Sequence, residues 1–367
     1  MTTEGLSFRD ALNALAAGHD LTRESAGAAM ATIMDGTATH AQIGALLMGL
    51  RAKGETADEI TGCAETIRSR AVPVPHSYPK LVDTCGTGGD GASTFNISTT
   101  AAFIVAGADQ KVAKHGNRAI SSQTGSADVL EALGVQVDMA GPEAVGALDE
   151  VGITFLFAPS FHAAMRYAAP ARRELAVRTV FNVLGPLCNP AGATAQIVGV
   201  FDPDLTPTIA RVLGNLGVER AVVVHGSDGL DEMTITGASR VAEWDGSDVR
   251  EYTVDPVDVG LPHGTLESIR GGDPKTNAQM LRDVLEGRPG GPRDVALLNA
   301  GAALMVAGAA EDLRDGVARA GRSVDSGAAL DRLEALLSYS ARLREREGGA
   351  HVRREVVKGS IPGWGQR

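Results

Sequence analysis

Along the first seventy residues the apolar positions recur at helical spacing. Leu46, Leu47 and Leu50 share one helical face, and Gly54 follows as a stop. Thr39-His40-Ala41-Gln42 and Thr56-Ala57-Asp58-Glu59 both match the capping box, in which a hydroxyl and a carboxylate or amide satisfy free amides at a helix start. This part predicts helices alone. Val72-Pro73-Val74-Pro75-His76-Ser77-Tyr78-Pro79 cannot continue a helix, because proline removes a donor and restricts its predecessor, so it predicts a linker.

Beyond it the period changes. Short apolar runs at 81–83, 111–113, 135–137, 153–157, 196–201 and 221–225 alternate with helix-like segments. Such alternation predicts crossover units and a mostly parallel sheet, with ligands at the carboxyl ends of the strands. The runs 240–244 and 249–254, joined by Asp245-Gly246-Ser247-Asp248, predict a peripheral hairpin. The segment 161–184 interrupts the alternation with helix-like sequence. The fold class expected is therefore α/β, with a small helical part before it.

Composition narrows the class. At 367 residues and 44% hydrophobic content the chain can bury the cores of two domains. A formal net charge of -11 argues against a nucleic-acid surface, so local basic clusters read as anion sites. Cys63, Cys85 and Cys188 are widely spaced and form no CxxC pair, which points to neither disulfides nor zinc and favours a reducing cytoplasm. No secretory signal and no membrane span are expected.

The chemistry concentrates in Val82-Asp83-Thr84-Cys85-Gly86-Thr87-Gly88-Gly89-Asp90. An apolar run ends there in a glycine loop, and Phe95-Asn96-Ile97-Ser98-Thr99-Thr100 opens a helix. Glycine permits close backbone approach, and helix-start amides face anions, so phosphate or pyrophosphate is the guest this geometry suits. No Gly-Lys-Ser/Thr follows, which excludes a Walker loop. Gly86, Gly88 and Gly91 match GxGxxG, yet the next run ends in Lys114-His115-Gly116-Asn117-Arg118, not in an acid for a ribose diol. Two cations there suit a polyphosphate. Asp231 and Glu232 follow another strand-like run and suit Mg²⁺, which takes carboxylates together with substrate phosphates.

These segments, with RTVFNVLGPLCNP from Arg178, VVHGSDGLDEMT from Val223, GGDPKTNA from Gly271 and LNAGAAL from Leu298, resemble the anthranilate phosphoribosyltransferase family over residues 6–345. Ala163 departs from the proline that the family often carries after the histidine of the APSFH segment. The resemblance implies a helical domain of residues 1–72 joined by about 162–187, and an α/β domain of 80–161 and 188–348. Residues 349–367 are expected as a flexible tail, and a homodimer through the helical domain is expected too.

It also implies the substrates, 5-phosphoribosyl 1-diphosphate as donor and anthranilate as acceptor, in tryptophan biosynthesis. Gly86, Thr87, Gly89, Asp90, Thr94, Asn96, Ser98, Thr99, Lys114 and Ser122 are expected at the donor. Ser98, Asp231 and Glu232 are expected to hold two magnesium ions. Ser126 and Asp128 are weaker donor candidates, since that stretch is also a good helix cap. Gly86, His115, Asn117, His162 and Arg172 are expected at the acceptor. Arg172, Arg173 and Arg178 could each pair with a carboxylate. Counting back from RTVFN puts Arg172 on the family's anthranilate arginine, leaving Arg173 facing solvent and Arg178 in a structural ion pair. No covalent nucleophile or strong base is expected. The alternatives are a pyrimidine nucleoside phosphorylase, opposed by the intact KHGNR and Asp-Glu pair, and a non-catalytic nucleic-acid-binding relative, opposed by the charge.

Overall fold

A computed structural model of the chain describes residues 7–119 and 123–359, with side chains as far as 346. Four helices open it: α1 (Phe8–Ala16), α2 (Arg23–Met34), α3 (His40–Lys53) and α4 (Ala57–Ser69). Both expected capping boxes form, Thr39 with Gln42 and Thr56 with Glu59, and Gly54 closes α3 at φ 92°. Leu46, Leu47 and Leu50 are buried in the bundle core.

Glu59 does more than cap. Fully buried, it accepts from the amides of Leu21 (2.8 Å) and Thr56 (2.8 Å) and from Lys53 Nζ (3.0 Å). Glu59→Ala would leave two amides without this partner, at about 1–3 kcal/mol for each buried group left unsatisfied, while Lys53 Nζ would keep Asp20 (2.7 Å) and Gly54 O (2.7 Å). A urea melt is expected to show that loss. Unchanged stability would mean that water reaches both amides.

The second part is built on β1 (Val82–Gly86), β2 (Val112–Gly116), β3 (Ile153–Phe157), β4 (Ala195–Gly199), β5 (Arg220–Gly226), β6 (Ser239–Trp244) and β7 (Val249–Val254). The order is β3-β2-β1-β4-β5-β6-β7, parallel from β1 to β5 and antiparallel at the β6–β7 edge, where the expected hairpin lies. Chain order reverses between β1 and β4. In open sheets ligands bind at such a switch point.

Helices α5 (Ile97–Gly107), α6 (Ser126–Leu133), α7 (Gly141–Glu150), α8 (Ala158–Phe161), α9 (Ala169–Leu175), α10 (Phe181–Leu187) and α11 (Leu205–Asn215) fill the connections. Helices α12 (Pro274–Leu285), α13 (Gly291–Val306), α14 (Leu313–Asp325) and α15 (Ala328–Gly359) follow the sheet. No described helix is long and apolar enough to cross a membrane.

Three expectations change here. The run 135–137 is not a strand. Val135 and Val137 are buried in the core, and the Gln136 amide donates to Ser340 Oγ on α15, so the alternation is satisfied by packing without a ladder. Strands β1 and β2 run on to Gly86 and Gly116, so Lys114 and His115 sit within a strand and not in a loop. The segment expected as a flexible tail begins inside α15, whose run of Arg, Glu and Val residues suits a helix as far as Gly359.

Candidate active site

The glycine loop leaves β1 at the switch point. The Thr87 amide donates to Gly199 O (2.9 Å), and Thr87 Oγ1 accepts from the Phe201 amide (3.1 Å), which ties the loop to the end of β4. Gly88, Gly89 and Gly91 all have φ between 68° and 81°. That region carries a penalty for side chains.

The acidic loop after β5 packs directly on this turn. The Gly88 amide donates to Asp231 Oδ2 (2.6 Å), and a Cβ at Gly86 would stand 2.4 Å from that same oxygen. A Cβ at Gly199 would collide with Asp231 O, so two glycines on neighbouring strands make room for one acid. Glu232 Oε1 accepts from the Ser98 amide at the start of α5 (3.1 Å). Burial, and then Glu232 and Asp90, push the Asp231 carboxyl well up. Burial also raises Glu232, against the pull of Lys114 and Ser98. Two adjacent buried carboxyls, both held up by burial, suit a divalent cation that would offset their charge. Among the described residues no group of three His, Cys, Asp or Glu side chains could by itself hold a metal ion. That suits an ion arriving with phosphate oxygens.

Lys114 is buried, and its Nζ donates to Thr84 O and to Ser98 Oγ (3.3 Å). Asn96 is braced on both sides: its Nδ2 donates to Thr124 O (3.2 Å), and its Oδ1 accepts from Asn277 Nδ2 (3.0 Å). Asn277 also accepts from the Gly272 amide (2.7 Å), so the GGDPKTNA segment backs the donor-side loop, a part its glycines alone did not reveal. Thr94 pairs with Arg270 in an isolated bridge.

A cleft of about 650 Å³ opens beside the loop. It is lined by Gly86, Thr87, Gly88 and Gly89 of the loop together with Arg172, Phe181, His162, His115 and Asn117. His115 Nδ1 lies 3.2 Å from Gly185 O, so this nitrogen carries the proton, since a carbonyl only accepts. Burial, with His162 and Lys114 nearby, pushes the His115 pKa down to about 3, leaving a neutral ring whose Nε2 has no partner among the described residues. The buried His162 ring stands edge-on to it at 5.1 Å. Arg172 is half-buried and has only the Phe181 ring beside its guanidinium, at 5.0 Å. Among the described residues that guanidinium has no ion pair and no hydrogen bond.

Several expectations need correction. Arg118 is not free for phosphate: it pairs with Asp128 and Glu131 on α6 and lies over the Phe157 ring. Asp128 accepts from the Ala119 and Gly125 amides (both 2.9 Å), so the cap reading holds. The Thr99 side chain, 1% exposed, turns into the core, in a pocket shared with Phe103, Lys114 and Thr154, because helix α5 buries that face. Among the described residues Arg178 forms no ion pair. Its guanidinium donates to Gly89 O and lies over the Phe201 ring at 4.1 Å, so it belongs to the glycine loop, a placement that only the tertiary contact reveals. Arg173 is exposed, as expected. Ser122 lies outside the described residues.

The chain matches the glycosyl transferase family in both its parts, the helical bundle domain over residues 9–71 and the a/b domain over 78–330. Fold and cleft thus define a two-part glycosyl transferase. An anthranilate phosphoribosyltransferase of Moorella thermoacetica is 57% identical over 89% of this chain and 97% of its own length, and one of Symbiobacterium thermophilum is 56% identical over 91% and 98%. The chain belongs to the anthranilate phosphoribosyltransferase family. The crystal structure of the Thermus thermophilus enzyme superposes with a TM-score of 0.86 at 42% identity, covering 90% of this chain and 99% of that one. The Saccharomyces cerevisiae enzyme in complex with PRPP and Mg superposes at 0.82 and 27% identity, covering 91% and 98%.

Proposed function

We infer that this chain transfers the 5-phosphoribosyl group of 5-phosphoribosyl 1-diphosphate to the amine of anthranilate, releasing pyrophosphate, in tryptophan biosynthesis. The observation that carries this is one cleft lined both by a phosphate-type glycine loop and by an arginine that lies over a ring and has no ion pair among the described residues.

The donor's pyrophosphate lies along Gly86, Thr87, Gly89 and Asp90, beside Asn96, Ser98 and the start of α5, with Lys114 on its phosphate. Magnesium, two ions in this reading, is held by Ser98, Asp231 and Glu232 and supplies charge neutralisation of the leaving pyrophosphate. Arg178 fixes Gly89 and so the shape of the loop. The acceptor carboxylate pairs with Arg172, and its ring lies near His115, His162, Asn117 and Gly86. The amine attacks the ribose C1 as pyrophosphate departs. Its proton can pass to solvent, since an arylamine turns strongly acidic as the bond forms. Positioning and leaving-group stabilisation therefore supply most of the rate.

We also place the protein in the cytoplasm as a homodimer through its helical part, where Met48 on α3 is an exposed apolar side chain. Light scattering that gave one chain's mass would remove the dimer. For the reaction itself, the purified protein with donor and Mg²⁺ is expected to quench anthranilate fluorescence. Folded protein without any decline would overturn the reading.

Gly88→Val tests the loop. Its Cβ would meet open space, so the expected cost is backbone strain of about 1–2 kcal/mol with a reshaped loop. Calorimetric titration should show donor affinity falling by roughly tenfold or more, with little change in melting temperature. Unchanged donor affinity would put the pyrophosphate elsewhere.

A further inference from the structure

We propose that Asn277 is a positioning residue for this reaction: it fixes the Asn96 amide the way round that offers the phosphoribosyl donor an N–H and not an oxygen. The proposal rests on reading Asn96 as a donor contact.

The residues meet in a closed ring of hydrogen bonds. The Gly272 amide donates to Asn277 Oδ1 (2.7 Å), and Asn277 Nδ2 donates to Asn96 Oδ1 (3.0 Å). Asn96 Nδ2 donates to Thr124 O (3.2 Å), and Thr124 Oγ1 donates to Gly272 O (2.8 Å). Asn277 is 1% exposed and lies in the first turn of α12. Direction is not free in this ring. A backbone amide only donates, so the Asn277 atom facing Gly272 is its oxygen, and its nitrogen faces Asn96. That nitrogen only donates, so the Asn96 atom facing it is an oxygen. A backbone carbonyl only accepts, so Thr124 O independently requires nitrogen at the other end of Asn96. The two anchors agree.

Asn96 is also the N-cap of α5, where asparagine ordinarily bonds to its own helix, yet its side chain makes no capping bond. The ring draws it away. Its oxygen serves Asn277, and one hydrogen of Nδ2 serves Thr124. The other hydrogen has no partner among the described residues, and it is what Asn96 can give to an oxygen of the donor. Turned round, the amide would set its oxygen against Thr124 O and show an anionic ligand a lone pair. Backbone ties hold this region independently of the Asn277 side chain: the Gly271 amide donates to Ser93 O (2.9 Å), and the Phe95 amide donates to Ile269 O (3.1 Å). Truncating Asn277 should therefore free the Asn96 amide to turn while leaving the segment docked.

The test is a double-mutant cycle on the full-length protein, read by calorimetric titration with 5-phosphoribosyl 1-diphosphate and Mg²⁺ and by the KM of each substrate. Asn96→Ala alone is expected to weaken donor binding. If it does not, the donor reading of Asn96 falls and takes the proposal with it. Asn277→Ala should weaken donor binding roughly tenfold, hold the anthranilate KM within about twofold, and add nothing further in the Asn96→Ala background. Unchanged donor affinity, equal rises in both KM values, or additive effects would overturn the proposal.

Asn277→Asp keeps the test open should Asn277→Ala fail to fold. It nearly preserves the size and still accepts from the Gly272 amide. Assayed well above the ordinary carboxyl pKa, it has no hydrogen to give Asn96. Donor binding should weaken at least as far as in Asn277→Ala, and the effect should largely vanish once residue 96 is alanine. Parent-like donor affinity would overturn the proposal. So would a loss of the same size in both backgrounds, which would assign the effect to the added charge.

Discussion

The Asp231→Ala, Glu232→Ala double variant is expected to fold and to lose turnover by at least about a thousandfold, since metal stabilisation of a leaving group contributes several kcal/mol and each 1.36 kcal/mol is a decade. The fold should survive because the pair is an electrostatic liability without a cation: each acid is raised by burial and by its acidic neighbours. Removing both relieves that repulsion, and the hydrogen bonds lost include those from the Gly88 and Ser98 amides. Without metal and donor, the double variant should therefore melt no lower than the parent. Steady-state turnover and a thermal melt check the two halves. Turnover within a few-fold of the parent would make the pair a structural turn. A collapsed melting temperature would show that the acids hold the loop and not a metal.

Arg172→Ala should raise the anthranilate KM and leave the donor KM nearly unchanged. A charge-assisted hydrogen bond is worth roughly 1.5–3 kcal/mol, which gives a rise on the order of 10- to 150-fold. Among the described residues Arg172 has no ion pair or hydrogen bond to lose, only the face of Phe181, so stability should change little. Lysine should rescue it partly, because it lacks the planar fork. Arg178→Ala supplies the contrast. Its guanidinium holds Gly89 O and stacks on Phe201, so the expected defect is in donor KM. A selective acceptor defect in Arg178→Ala, with none in Arg172→Ala, would exchange the two assignments.

These two arginines mark how far sequence reasoning reached. Six residues apart, they carry the same charge and pattern in one dimension. Residues 176 to 178 then change direction, with Ala176 at φ 52°, and this sends one guanidinium over Phe181 and the other onto the glycine loop. Arg118 shows the same limit. Its spacing beside Lys114 suggests a second phosphate cation, but α6 brings two carboxylates to it. Thr99 carries the hydroxyl expected of its motif, yet it sits on the face of α5 that the core covers.

What the sequence determined by itself is local. Threonine caps, glycine at positive φ, the period change from helix to strand and the order of the motifs all depend on neighbours a few residues away, and all were legible. The reaction class was legible too, because its chemistry is written in contiguous motifs. Only the tertiary structure decided which charges are already neutralised and which remain for a ligand. Arg118 is paired, whereas among the described residues Arg172 has no ion pair, and Lys114 on β2 reaches Ser98 on α5. Charge compensation depends on distance in space and on burial, and neither is a property of the chain taken in order.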